Sequence, residues 1–224
     1  FASGATNFTG GTLSDTDVIN VVSGGTVTFN GTQLASQTLS GAGNVVVNAS
    51  GTANLSGLTN SLGGTLTIND SNNADTITGT AAADLINLTN AGLDVVNAGA
   101  GADTITINHA VSSINGGDNS STSDTLAVAA SSGIIDLRTA TIADIQVVTV
   151  NNGSTLRITD TQASNITTIN GTGTIEVVIS GNSSVNLSNM GATTKVVTVS
   201  ANSTFTGTFA SGTTISVADG AKLT

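Results

Sequence analysis

The sequence has no cysteine, which excludes disulfide bonds, a thiol nucleophile and a cysteine-ligated zinc site. It also has no proline, tryptophan or tyrosine, and only five of its 224 residues are phenylalanine. Globular domains normally bury some aromatic rings for their large apolar area, so the core of this protein must be built from Val, Ile, Leu and Ala. A narrow interior filled by short aliphatic side chains meets that condition.

Charge is scarce and mostly of one sign. Charged residues make up 8% of the chain, with 14 acidic and 4 basic side chains and a net charge of −10. Without a basic patch, the chain is not expected to bind nucleic acid. The acidic excess favours divalent cations or a surface exposed to salt. No apolar run is long enough to span a membrane, and the start at Phe1 predicts a segment of a longer or processed protein.

The apolar residues predict short β-strands. Val, Ile and Thr, which favour strands, alternate in period two in segments such as 26–29, 45–47 and 195–199. Gly, Asn and Ser interrupt them, and no helical stripe is present beyond a short turn at 32–39. Strands this short gain stability by stacking on the next coil. We therefore expect an all-β fold, a parallel β-solenoid of the β-roll or β-helix type, with about 18 residues per coil and a length of roughly 60 Å.

Two distant parts of the chain align with each other. Residues 12–51 match residues 141–181 at an offset of about 129, and apolar positions exchange only among Val, Ile, Leu and Phe. Thr32-Gln33 pairs with Thr161-Gln162 in this alignment. The alignment predicts an internal duplication and three blocks, which are a solenoid block at 1–69, a calcium-binding roll at 70–127 and a second solenoid block at 128–224.

Four aspartates recur inside the central block. They lie nine, ten and nine residues apart, and each is followed at once by Thr, Leu or Val and then Ile or Val: Asp75, Asp84, Asp94 and Asp103. A period near nine matches half a coil of a β-solenoid, so successive aspartates fall on opposite sides. We therefore expect Asp75 to stack on Asp94, and Asp84 to stack on Asp103.

The last of these repeats resembles the calcium-binding rolls of RTX proteins. The frame 98–106 is close to their G-G-x-G-x-D-x-U-x pattern, with matches at Gly99, Gly101, Asp103 and Ile105. The frame 89–97 matches in part. The frames 70–78 and 79–87 match least, because other residues stand where glycine is usual: Asn73, Thr80 and Ala82. Downstream, the segments 115–118 and 124–126 resemble the way such rolls end.

This pattern has a chemical reason. Calcium takes six to eight oxygen ligands, and glycine-rich turns can direct backbone carbonyls inward while stacked carboxylates offset the charge. The expected cofactor is Ca²⁺, and the candidate ligand positions are Asn73, Asp75, Asp84, Gly92, Asp94, Gly99, Gly101, Asp103, Asp118 and Asp124. Because bare stacked carboxylates repel one another, folding should be coupled to calcium. A metal-free alternative stays open, in which these aspartates cap and hydrogen-bond the turns.

Signatures of catalysis are lacking. His109, the only histidine, follows the expected strand 104–107 and should lie in a turn or at the surface. The sequence has no Gly-x-Ser-x-Gly elbow and no phosphate loop. Paired carboxylates serve glycosidases, but those enzymes usually add aromatic sugar platforms, and this chain has no Trp or Tyr. We therefore do not expect an enzyme.

In composition the chain resembles the repetitive parts of bacterial S-layer proteins and of large RTX-type surface proteins secreted by type I systems. This resemblance implies an extracellular protein of the bacterial cell surface. Its partners would be further copies of itself in a lattice or fibre, and cell-surface polysaccharide as an anchor. We expect a structural, self-assembling role in which calcium makes the chain rigid after export. The alternative is the stalk or binding module of an RTX-type adhesin, and a carbohydrate-active solenoid enzyme is a third possibility.

Overall fold

The chain folds as a parallel β-solenoid. The computed structural model describes residues 4–14, 17–117, 122–184, 186–191 and 194–224. In these residues short strands stack coil upon coil with almost no helix, and the stack has about ten coils. The all-β solenoid expected from the period-two alternation is confirmed.

The strands have two to six residues each. Those of the first half are β1 (Gly4–Asn7), β2 (Val18–Asn20), β3 (Gly25–Asn30), β4 (Thr38–Gly41), β5 (Asn44–Asn48), β6 (Thr52–Asn54), β7 (Thr59–Leu62), β8 (Leu66–Asn69), β9 (Thr76–Thr78), β10 (Leu85–Leu88), β11 (Val95–Asn97) and β12 (Thr104–Ile107). Those of the second half are β13 (Ser113–Asn115), β14 (Thr125–Val128), β15 (Gly133–Asp136), β16 (Thr141–Ala143), β17 (Val147–Val150), β18 (Ser154–Thr159), β19 (Thr168–Asn170), β20 (Thr174–Ile179), β21 (Asn186–Leu187), β22 (Thr194–Val199), β23 (Thr208–Phe209) and β24 (Thr214–Val217). Asn, a turn former, is the last residue of many of them.

Strands of successive coils pair in parallel. The largest sheet has nine strands, in the order β1-β3-β5-β8-β10-β12-β14-β17-β19. Two five-stranded sheets, β16-β13-β11-β9-β6 and β15-β18-β20-β22-β24, and two smaller ones form the other faces. Partners in the large sheet lie from 18 residues apart, as Thr26 and Asn44 do, to 22 apart, as Thr125 and Val147 do. Most coils are therefore longer than the expected 18 residues, and about ten of them stack to roughly 50 Å instead of 60 Å.

A column of apolar side chains runs along the interior of the nine-stranded sheet. Ile105 pairs in register with Ile86 on one side and with Leu126 on the other, and all three are fully buried. The same position is buried in successive coils: Phe29, Val47, Ile68, Ile86, Ile105, Leu126, Val148, Ile169 and Met190. Each of these side chains is shielded from water by the coils above and below it, so a coil is stable only within the stack.

One short helix interrupts the strands, α1 (Asp160–Ser164). The hydroxyl oxygen of Thr159 accepts the N–H of Gln162 at 3.1 Å, and the side-chain oxygen of Gln162 accepts the N–H of Thr159 at 2.8 Å. This capping box follows from the Thr-x-x-Gln spacing, a local signal that contains no helical stripe, so the helix was not expected from the sequence. No helix in the described ranges is long and apolar enough to cross a membrane.

Gln33 and Gln162, which align at the offset of 129 residues, make matching hydrogen bonds. Each side-chain nitrogen donates to two backbone carbonyls of the preceding coil, and each side-chain oxygen accepts the N–H three residues earlier. The carbonyls belong to Phe8 and Gly11 for the first glutamine, and to Leu137 and Ala140 for the second. The two aligned segments are therefore folded alike at this corner.

Candidate metal centre

The recurring aspartates form two columns on different faces of the solenoid. Asp84, Asp103 and Asp124 stand directly before β10, β12 and β14 of the nine-stranded sheet, and we call them the long column. Asp75 and Asp94 stand directly before β9 and β11 of a five-stranded sheet, and we call them the short column. The expected stacking of Asp75 with Asp94, and of Asp84 with Asp103, is confirmed.

Within each column the link is a hydrogen bond from backbone to side chain. The N–H of Asp84 donates to Oδ1 of Asp103 at 2.8 Å, and the N–H of Asp103 donates to Oδ1 of Asp124 at the same distance. In the short column the N–H of Asp75 donates to Oδ1 of Asp94, also at 2.8 Å. All five side chains are buried. Each link therefore joins two coils and places a backbone donor against one carboxylate oxygen.

Glutamine makes the same link elsewhere in the stack. Oε1 of Gln146 accepts the N–H of Asp124 at 2.6 Å, and Oε1 of Gln37 accepts the N–H of Asp17 at 2.6 Å. Neither link was expected from the sequence, although each glutamine lies about one coil after the residue that it binds. A neutral amide continues the hydrogen bonds without adding negative charge, so the long column is extended without a fourth carboxylate.

Two of the aspartates cap their own turns. Oδ2 of Asp75 accepts the N–H of Ser71 at 2.6 Å, while its Oδ1 accepts the Ser71 hydroxyl and the N–H of Gly51. Oδ2 of Asp84 accepts the N–H of Thr80 at 2.6 Å, and its Oδ1 accepts the Thr80 hydroxyl at 3.1 Å. These are the two frames that match the calcium pattern least. In them a hydroxyl side chain supplies what the metal-free alternative requires.

Asp103 differs from Asp75 and Asp84, because Gly99 stands where their turns carry the hydroxyls of Ser71 and Thr80. In the described part of the chain no donor reaches Oδ2 of Asp103, although the residue is only 1% exposed. Burial, together with the nearby charges of Asp84 and Asp124, raises the pKa of Asp103 to about 7. Burial also raises the pKa of Asp84, to about 6. A buried, ionised carboxylate oxygen that accepts no hydrogen bond destabilises the folded state unless a cation binds it.

The glycines of the long column hold neighbouring turns close together. Gly99 has φ +107°, and a Cβ there would overlap the carbonyl oxygen of Thr80 one coil earlier. A Cβ on Gly79 would overlap the carbonyl oxygen of Ala98 and lie 2.6 Å from Oδ2 of Asp84. Glycine at these two positions therefore lets backbone and carboxylate oxygens of adjacent coils approach closely, which a calcium site here would require.

The remaining candidate ligands have less direct positions. Gly101 has φ +124°, and its carbonyl oxygen accepts the Thr122 hydroxyl at 2.6 Å. Gly92 packs against the carbonyl oxygen of Asn73 beside Oδ1 of Asp94, so the backbone of Asn73 faces this place while its side chain is exposed. Asp118 lies outside the described residues.

The long column has a donor set that suits calcium. Its carboxylates and the adjacent backbone carbonyls are hard oxygen ligands, and calcium prefers such ligands in a coordination shell of six to eight. A divalent cation would also favour the ionised forms of Asp84 and Asp103, whose pKa values burial raises. The residues therefore fit the ion best around Asp103. They fit it less well around Asp75, whose two oxygens already accept three hydrogen bonds.

His109 does not lie freely at the surface. Its side chain is 21% exposed, and its Nε2 lies 3.2 Å from Oδ2 of Asp94. The carboxylate of Asp70 is close to both groups. The expected position in a turn after β12 is confirmed, and the residue also contacts a buried carboxylate, which the sequence did not indicate. The contact of His109 with Asp94 and Asp70 could not be predicted from the sequence, because it depends on which residues of three coils lie at the same corner.

Comparison of the chain with protein-family models, with curated proteins and with solved structures found no match. What is established is thus the repetitive parallel solenoid itself. Any functional conclusion has to be argued from the geometry of the columns and of the surface.

Proposed function

We propose that this chain is a structural segment of a bacterial surface assembly, an S-layer or surface filament, which calcium makes rigid outside the cell. The resemblance of the frame 98–106 to RTX calcium rolls supports this proposal, as does the solenoid fold. Such a rod is suited to repetitive contacts along its length. In this proposal the further partners are copies of the chain and, as an anchor, cell-surface polysaccharide.

The observation that carries the proposal is Oδ2 of Asp103, which is buried without a hydrogen-bond donor among the described residues. Asp103 together with Asp84 and Asp124 would hold the ion, with backbone carbonyls of the glycine-rich turns completing the shell. Bound calcium supplies positive charge to the long column, whose three charged side chains are all carboxylates. That charge stabilises the ionised carboxylates and the contact between coils.

If folding requires bound calcium, the chain becomes fully folded only in a compartment with enough calcium to fill the site. Calcium sites of extracellular modules have dissociation constants of about 10⁻⁴–10⁻³ M, which cytosolic calcium does not fill. The metal-free long column is destabilised by its own buried charges and would be filled only after export. The chain would therefore cross the membrane as a loosely folded polypeptide and become rigid at the surface.

The surface of the solenoid supports association with further copies. Several large apolar side chains lie on the outside, with Val18 70%, Leu93 64% and Ile134 62% exposed. Because charged residues are few, charge repulsion between neighbouring copies would come mainly from the overall acidic excess. Calcium in solution would reduce that excess as well.

The substitution Asp103→Asn tests the calcium proposal, because the Asn oxygen can still accept the N–H of Asp84. In metal-free buffer we expect the variant to be as stable as the wild type or more stable, since a buried charge is removed. In calcium at 100 times the dissociation constant, the wild type should gain about 2.7 kcal/mol of unfolding free energy, and the variant should gain little of it. The control Asp136→Asn removes an exposed carboxylate that pairs with Arg138, and it should keep the full gain.

Two measurements separate the possible outcomes. Unfolding is followed by circular dichroism in calcium and in metal-free buffer. An equal calcium gain in wild type and Asp103→Asn would overturn the assignment of the ion to the long column. Electron micrographs of the purified chain with calcium then test assembly. Ordered lattices or fibres support the structural role. Monomers that bind glycans in a glycan-microarray assay would favour the adhesin stalk.

A further inference from the structure

A second cluster of ligand atoms lies at the corner where β8, β10 and β12 end. Asp70 follows β8, and His109 follows β12 two coils later. Asp94 reaches the same place from the turn before β11. One ligand atom from each of these three side chains lies within 4.8 Å of the others. The cluster is separate from the long column and contains a nitrogen ligand, which calcium does not favour.

The hydrogen bonds of Asn108 fix which nitrogen of His109 carries a proton. The side-chain nitrogen of Asn108 donates to the carbonyl oxygen of Thr89 at 2.9 Å, so its Oδ1 is the atom that faces Nδ1 of His109, also at 2.9 Å. An amide oxygen is only an acceptor, and Nδ1 must therefore donate. In a neutral ring the lone pair then lies on Nε2.

That lone pair faces another acceptor. Nε2 of His109 lies 3.2 Å from Oδ2 of Asp94, which is a carboxylate oxygen. Two acceptors at this distance require a shared positive centre between them, which is either a proton or a metal ion. A histidine that ligates a metal commonly donates its other ring N–H to an oxygen, as Nδ1 does here.

The two carboxylates are held in fixed orientations by other groups. Oδ1 of Asp70 accepts the Asn90 side-chain nitrogen at 2.8 Å and the N–H of Thr89 at 3.2 Å, whereas among the described residues Oδ2 accepts only the N–H of Asn90, at 3.0 Å, and so has a second lone pair for an ion. Asp94 accepts the N–H of Asp75 on Oδ1, which leaves Oδ2 directed at the cluster. Burial, and to a lesser degree the charge of Asp70, raises the pKa of Asp94. Both acids are almost completely buried, while His109 is partly exposed and gives access from solvent.

We propose that Asp70, Asp94 and His109 form a binding site for a divalent transition-metal ion, with zinc as the best fit. Two ligands at about 2.0–2.1 Å from a tetrahedral ion lie roughly 3.3 Å apart, close to the separation of Nε2 and Oδ2. One imidazole and two carboxylates suit zinc in the absence of cysteine, and water completes the four ligands. The ion would join three coils at one corner, independently of calcium in the long column.

The test uses the folded chain in saturating calcium, so that the outcome does not depend on the calcium proposal. Cobalt(II), whose visible absorption reports ligand geometry, is titrated into wild type and displaced by zinc. We expect one equivalent to bind, with affinity at least about tenfold lower in His109→Gln and Asp70→Asn. Asp136→Asn serves as the control with an intact cluster and should bind like the wild type.

A second measurement needs no variant and therefore does not depend on whether the variants fold. Because His109 is the only histidine, the ¹⁵N spectrum of its ring is unambiguous. Zinc should shift Nε2 and leave Nδ1 protonated. Equal cobalt binding by wild type and His109→Gln would overturn the proposal. An Nε2 that stays protonated with zinc present would do the same, since the positive centre would then be a proton.

Discussion

The carboxylate of Asp103 accepts the backbone N–H of Asp84 at 2.8 Å and is at the same time opposed by the charge of the Asp84 side chain. The hydrogen bond thus joins two coils, while repulsion between the two carboxylates destabilises the same contact. The balance depends on protonation, on bound cations and on how closely the turns approach. Each of these factors gives a measurable expectation.

The first prediction concerns pH in the absence of metal. The pKa values of Asp84 and Asp103 are raised from 3.8 to about 6 and about 7 in the folded protein. Between pH 4 and 7 the folded state therefore binds more protons than the unfolded state, and stability falls as pH rises. We expect the melting temperature of metal-free protein to be roughly 5 °C or more lower at pH 8 than at pH 5.

Calcium should reverse that trend, because it binds only the ionised carboxylates. Melting curves recorded by circular dichroism at both pH values, with and without calcium, check the sign. A metal-free protein that becomes more stable from pH 5 to pH 8 would contradict the raised pKa values.

The second prediction concerns the close approach of turns. Gly99→Ala should destabilise the protein by more than about 2 kcal/mol, because the residue has φ +107° and its Cβ would overlap the carbonyl oxygen of Thr80. Gly181 has open space where a Cβ would stand, so Gly181→Ala is the matched control and should be nearly neutral. Urea unfolding of both variants in calcium measures the difference. Similar losses in the two variants would show that the turns around Gly99 are more widely spaced.

The third prediction concerns the apolar column. Ile105→Ala leaves a cavity between Ile86 and Leu126 and should lower the free energy of unfolding by about 2–5 kcal/mol. The neighbour Thr106 points to the other face and is partly exposed, so Thr106→Ala should cost about 0.5 kcal/mol or less. Chemical denaturation gives both values. A small effect at Ile105 would mean that the adjacent coils collapse onto the gap.

The fourth prediction uses the two aligned glutamines. Gln162→Ala removes the hydrogen bonds to the carbonyls of Leu137 and Ala140, and also the bond that the Gln162 side chain accepts from the Thr159 N–H. We expect the free energy of unfolding to fall by about 2–3 kcal/mol. Gln33→Ala should cost a similar amount, because its contacts correspond one to one. Thermal unfolding of the two variants and of the double variant tests this. A clear loss in only one of them would indicate that the two corners have different stabilities.

Much of the fold could be predicted from local chemistry. Alternating Val, Ile and Thr between Gly and Asn turns predicts stacked strands, and the spacing of Asp84 and Asp103 predicts that they share a column. Both predictions depend on a repeat that is visible in the sequence itself. The calcium ion, the assembly and the cell-surface location remain predictions.

Other features depend on register between coils of unequal length. Gln146 lies below Asp124, and His109 lies beside Asp94, only because the coils have between 18 and 22 residues in the large sheet. A single assumed coil length places neither of them correctly. The helix α1 was missed for a different reason, since its capping box is a local signal with no periodicity.

The column from Phe29 to Met190 also bears on how such a protein can change its size. Since the strands of each coil pair only with those of the coil before it and the coil after it, inserting or deleting one whole turn lengthens or shortens the molecule by about 4.8 Å and leaves the distant parts undisturbed. A partial insertion would instead move every later side chain out of line with its neighbour. Evolution of this architecture is therefore expected to proceed in whole coils, and the length of the rod is a property that can be set in discrete steps.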